Sequence, residues 1–222
     1  MQVQNWMSTD VVTVDKNTPV IEVMKILEEN NIRHVPVMSE GKLVGMITDQ
    51  EIKEASPSKA TAMKAQELYS FLATMKAKDV MQTHPVSIKP GQTMEVAAVK
   101  MIEYRVTGLP VVTEKGALVG IISQGDVFRV LISITGIYQG GIQFAFNLEE
   151  RAGSIKEVAD VIRQEKGQIV SILSTSETAD EGYRHVFIRF VGVPESRLKT
   201  MIKRFEKDFM LLYVIEDPLK DL

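Results

Sequence analysis

The stretch Ile32-Arg33-His34-Val35-Pro36-Val37, followed by Gly45-Met46-Ile47-Thr48-Asp49-Gln50-Glu51, decides how this chain reads, because it occurs twice. It returns as Val106-Thr107-Gly108-Leu109-Pro110-Val111 and Gly120-Ile121-Ile122-Ser123-Gln124-Gly125-Asp126. Met7, Thr18, Lys25 and Glu28 return in the same order as Met81, Thr93, Lys100 and Glu103, at an offset of 74 or 75 residues. A repeat of that length marks a duplicated supersecondary unit, and the one-residue slips fit loop insertions.

Each copy predicts the same elements. A short β-branched strand opens it, Val11-Val12-Thr13-Val14 or Val86-Ser87-Ile88. Val20, Val23, Met24 and Leu27 then recur at helical spacing, as do Met94, Ala97, Ala98 and Met101. In the first copy, two strands follow, Val35–Met38 and Leu43–Ile47, joined by the turn Ser39-Glu40-Gly41-Lys42. Between the copies, Ser56–Thr61 carries helix start signals, and Ala65, Leu68, Tyr69 and Leu72 sit at helical spacing, which predicts a connecting helix.

Composition narrows the chemistry. The 222 residues hold 26 basic and 29 acidic side chains, a net charge of −3 spread evenly, so no basic block exists for nucleic acid or an anionic membrane. Cysteine is absent, which removes disulfides, thiolate nucleophiles and cysteine-ligated zinc. His34, His84 and His185 are the only histidines, and no two are spaced as a metal pair on one helix turn. No P-loop, nucleophile elbow or HExxH motif is present. The expectation is a soluble cytoplasmic binding protein without catalytic activity, since no apolar run spans a bilayer and no signal peptide opens the chain.

The duplicated motif resembles the CBS (cystathionine-β-synthase-type) domain, the second copy more closely than the first. Two such repeats form a Bateman module, and the resemblance covers residues 1 to about 132. After Gly136, Gly140 and Gly141 the pattern changes. Ile142, Phe144, Phe146 and Leu148 alternate as a strand, and Ile155, Val158, Ala159 and Ile162 repeat as a helix ended by Lys166-Gly167. Strand-like runs at 168–174 and 184–191, joined by a polar turn at Asp180-Glu181-Gly182, precede a helix marked by Leu198, Met201, Ile202 and Phe205. A last strand runs from Met210 to Ile215. The order βαββαβ predicts a ferredoxin-like antiparallel sheet with both helices on one face. With Arg151-Ala152-Gly153-Ser154-Ile155 after its first strand, this half resembles an ACT regulatory domain.

The expected fold class is therefore α/β (α+β): a CBS-domain pair followed by a ferredoxin-like ACT domain. The expected divisions are 1–55 for the first repeat, 56–77 for a helical linker, 78–135 for the second repeat and 136–222 for the ACT-like domain. This arrangement resembles the acetoin-utilization AcuB-type proteins over essentially the whole chain.

The CBS resemblance implies an adenine nucleotide (AMP, ADP or ATP) or S-adenosylmethionine as a regulatory ligand, and a homodimer. Chemically, such a ligand needs an apolar slot for the base, a carboxylate for the ribose diol, and hydroxyls or amides for phosphate. The resemblance assigns Asp126 to ribose and Ser123 to phosphate in one cleft, with Val12, Ile32, Arg33 and His34 contributed by the other repeat. A second cleft takes Thr48 and Glu51 with Val86, Val106, Thr107 and Gly108. It ranks below the first, because Glu51 stands where the family has aspartate and its carboxylate reaches one bond farther. Asp126 also has a plain reading, as the cap of the helix starting near Val127. Arg33 and His34 read equally as solvated loop residues, and Lys59 with its flanking serines as a further reach toward phosphate. In the ACT-like half, Arg151, Gly153, Ser154 and Ile155 are candidates for an amino acid carboxylate at a helix N-terminus, the alternative being that Gly153 makes the turn and Ser154 caps.

Overall fold

The computed structural model describes residues 1–55 and 72–216. The predicted start signals, Lys59, and most of the connecting helix at 56–77 lie outside the described residues; Leu72, at the helix's far end, is buried. The chain divides into two compact units, Met1–Phe128 and Arg129–Leu222.

In the first unit, the repeat folds as its periodicity demands. β1 (Val14–Asp15) leads into α1 (Val20–Glu29), which buries Val20, Val23 and Leu27, the residues sharing one face. β2 (His34–Ser39) and β3 (Lys42–Thr48) form an antiparallel hairpin. Glu40 and Gly41 turn it with φ of 50° and 74°, the left-handed pair that matches strand twist. α2 (Asp49–Ala55) follows. A short α3 (Ala77–Val80) and β4 (Gln82–Thr83) open the second copy. It continues through α4 (Met94–Glu103), β5 (Gly108–Val112), β6 (Leu118–Ser123) and α5 (Gln124–Thr135).

The opening strands are shorter than predicted. Only Val14 and Asp15 pair, with Val37 and Met38, and in the second copy Ile88 alone bridges Val111. The β-branched residues before them lack partners in the ladder, so local propensity does not extend the strand.

Each copy lends its leading segment to the other. β4 joins the first repeat's sheet, placing Met46 against Gln82, and at the equivalent positions Ser8 of the first repeat bridges Ile121 of the second. Two glycines make room for this exchange. A Cβ on Gly120 would lie 2.5 Å from Met7 Sδ, and one on Gly45 would collide with Met81 Sδ. The duplicated Met/Gly pairs are thus the crossing points of two interlocked repeats.

The second unit contains β7 (Ile142–Glu149), α6 (Ser154–Gln164), β8 (Gln168–Thr175), β9 (Tyr183–Val191), α7 (Glu195–Asp208) and β10 (Met210–Glu216). Its sheet order is β10-β7-β9-β8 and every pairing is antiparallel. Phe144, Phe146, Phe190 and Phe205 pack edge to face at its centre, with ring centroids 5.0–6.0 Å apart. The α6 helix ends with Lys166, not Gly167, in the left-handed conformation at φ 64°.

Candidate functional site

The hairpin and its mate bring the two repeats together at the ends of β2 and β5. His34 begins β2, Thr107 immediately precedes β5, and His34 Nε2 shares a hydrogen bond of 2.7 Å with Thr107 Oγ1. Gly108 allows the approach, since a Cβ there would sit 2.7 Å from the His34 ring. Burial, the largest influence, holds the His34 imidazole below its ordinary pKa, while Asp49, Glu51 and Asp126 pull it upward and Arg33 downward.

The six residues expected of the second cleft come together. Thr48, Glu51, Val86, Val106, Thr107 and Gly108 line one hollow of about 130 Å³, and His34 lines it with them. Val86, Val106, Met46 and Pro85 supply apolar walls, and Glu51 supplies the carboxylate. Thr48 ends β3 and Glu51 lies in the first turn of α2. The Thr48 amide donates to Glu51 Oε2 at 2.8 Å, and the Thr48 hydroxyl donates to the same oxygen. This is the carboxylate half of a capping box, and the Thr48 hydroxyl accepts from the Gln50 amide at 3.1 Å.

The first set is arranged differently. Ser123-Gln124-Gly125-Asp126 builds the equivalent box at α5: the Ser123 amide and hydroxyl both donate to Asp126 Oδ2 at 2.7 Å. The Ser123 hydroxyl, expected to face phosphate, is turned onto its own helix because the carboxylate one turn on is the nearest acceptor. The helix starts at Gln124, earlier than the expected start near Val127, so Asp126, 5% exposed, sits within its first turn and caps it through Ser123 rather than standing ahead of it. Ile32 and Arg33 line a separate hollow of about 490 Å³ beside α1 and α2, and Val12 is half-buried ahead of β1.

Sequence reasoning missed several contributors to the cleft, Met46, Gln50, Gln82 and Pro85 as well as Tyr104 and Arg105. Tyr104 and Arg105 line it from the loop after α4, where Arg105 takes a left-handed φ of 54°. The signal available was their place directly before the Val106-Thr107-Gly108 motif. A further hollow of about 480 Å³ shares Thr48, Gln50 and Thr107 with the cleft and adds Arg33, Asp49, Lys53 and Glu54.

In the second unit, the N-cap of α6 is Gly153 at φ 91°, not Ser154. Ser154 is buried, and its hydroxyl donates to the Arg151 carbonyl at 3.1 Å. Arg151 pairs with both carboxylate oxygens of Glu157 at 2.8 Å and with Glu149 at 3.0 Å. Arg151 and Ser154 line a hollow of about 270 Å³ together with Asn147, whose buried Oδ1 has no partner among the described residues; Ile155 instead packs against the core.

A family model described as CBS domain matches residues 3–58 and 77–133. The CBS domain-containing protein YhcV of Bacillus subtilis is 32% identical over 125 residues, 56% of this chain and 81% of that protein. Among solved structures, the CBS domain pair of protein MJ0100, in complex with 5′-methylthioadenosine and S-adenosyl-L-methionine, is 28% identical with a TM-score of 0.50. The match covers 59% of this chain and 95% of that one. A candidate acetoin utilization protein (AcuB) from Vibrio cholerae shares the fold at 24% identity and a TM-score of 0.51, over 63% of this chain and 96% of that one. Enzymes match as well, but over only 23–24% of their own length. Among the described residues no helix is long and apolar enough to cross a membrane.

Proposed function

The chain belongs to the CBS domain family through its duplicated first unit, and on that premise we propose that it is a non-catalytic regulatory protein taking an adenosyl ligand in the Thr48–Glu51 cleft. The observation that carries this is the convergence of Val86, Val106, Thr107, Gly108, Thr48 and Glu51 on one hollow. The apolar walls take the base. Glu51 Oε2 is held by Thr48, and Oε1 accepts from a ribose hydroxyl. The ligand complex of the MJ0100 pair supports the same ligand class. Because His34 and Thr107 meet across the repeats, occupancy biases how the repeats hold one another, and differential affinity for two arrangements is what turns binding into a signal. Exposed Val99, Ile102 and Phe128 support self-association as a homodimer. A link to acetoin utilization rests on the sequence resemblance.

Titration calorimetry of the full chain with AMP, ADP, ATP and S-adenosylmethionine tests the reading. Heat with at least one, weakened by Glu51→Ala, is the expected result; no heat with any of them overturns it.

A second reading has an observation of its own: the hollow beside the Gly153 loop, with the unpartnered Asn147 Oδ1 at its wall, supports amino acid sensing by the ACT-like unit. A thermal-shift screen of amino acids, with stabilisation lost in Gly153→Val, separates the two.

A further inference from the structure

The hollow adjoining the cleft has a charge pattern that the adenosyl reading alone does not use. Arg33 and Lys53 stand on its wall with Asp49 and Glu54, two cations against two carboxylates. Among the described residues neither cation has an ion-pair partner, nor does Asp49, while Glu54 Oε1 accepts only from Gln50 Nε2 at 2.8 Å. The cleft itself adds Arg105 and Glu51, which leaves the joint lining balanced. Mixed charge of this kind suits a group that carries both signs.

Resting on the adenosyl reading, we infer that the ligand extends a zwitterionic tail into this hollow, an ammonium or sulfonium beside a carboxylate, with Asp49 and Glu54 facing the positive group and Arg33 and Lys53 the carboxylate. Thr48 and Thr107 lie in both hollows, so a ligand whose base and ribose occupy the cleft emerges between these two hydroxyls, directly among the four charges. A phosphate chain leaving at the same point pairs with Arg33 and Lys53 but leaves Asp49 and Glu54 facing like charge, whereas a zwitterionic tail meets a partner of opposite sign on both sides.

The test is calorimetry on the full chain at low ionic strength with four probes: S-adenosylmethionine, 5′-methylthioadenosine, AMP and ATP. Methylthioadenosine keeps the adenosyl group and lacks the amino acid tail. The expected result is S-adenosylmethionine about three- to ten-fold tighter than methylthioadenosine, the scale of one or two exposed charge contacts, and tighter than AMP or ATP. Asp49→Asn and Lys53→Gln, both at exposed positions, each shrink that advantage. Equal affinity for S-adenosylmethionine and methylthioadenosine, tightest binding of ATP, or an advantage untouched by both variants overturns the tail assignment while leaving the adenosyl reading intact. Binding of none of the four overturns both.

Discussion

His34 Nε2 and Thr107 Oγ1 lie 2.7 Å apart, so one side chain from each repeat closes the seam at the mouth of the cleft. The imidazole is held below its ordinary pKa of 6.5, chiefly by burial. Between the folded value and 6.5 the unfolded chain binds more protons than the folded one, so stability rises with pH in that window. The contribution is fully present above 6.5 and is lost as pH falls through the folded value. Melting temperature followed from about pH 7.5 to about pH 5 declines on the acid side, and the slope flattens in His34→Gln. An equally steep decline in that variant excludes His34 as the titrating group.

Gly120→Ala places a methyl group against Met7 Sδ, within a segment exchanged between repeats. Overpacking of this kind costs about 1–3 kcal/mol. Met7→Ala removes the obstacle, so the double variant loses less than the sum of the single ones, the mark of direct contact. Chemical denaturation of the four proteins reads the coupling, and strict additivity contradicts the interlock.

Asp126→Ala opens the capping box at α5 and leaves the Ser123 amide without its acceptor. The expected loss is about 1–2 kcal/mol. Asp126→Asn keeps an acceptor and recovers part of it. Denaturation midpoints check the order parent, Asn, Ala.

Phe205 touches Phe144 and Phe146 edge to face, with centroids 5.3 and 5.0 Å away, and is fully buried. Phe205→Ala costs the second unit about 3–5 kcal/mol. Differential scanning calorimetry is expected to show the transition of that unit moved to lower temperature.

Arg189 donates from Nε to the Thr135 carbonyl at 3.1 Å, and Ser171 Oγ donates to the same oxygen at 2.8 Å. Nothing in the local pattern around Arg189 announces this tie, since its position in β9 reads only as the polar alternate of a strand. By contrast, Val20, Val23 and Leu27 in α1 and the alternating Phe144, Phe146 and Leu148 in β7 are legible one by one, because burial of one face imposes a period on the sequence. The cleft was legible only through the motif: Thr48, Glu51 and Val106–Gly108 were named from the repeat, whereas Tyr104 and Arg105 entered through the loop's backbone course.

By itself the sequence determined the duplication, the element types and the βαββαβ order, all of which follow from short-range periodicity and turn chemistry. Tertiary structure alone decided the exchange of Met7 and Met81 onto Gly120 and Gly45, the closure of His34 on Thr107, and the turning of Ser123 onto Asp126. The first two join residues of different repeats, and in the third a hydroxyl chooses between a ligand and its own helix. A linear pattern records which residues seek burial; which partner each one finds is set when the two repeats dock.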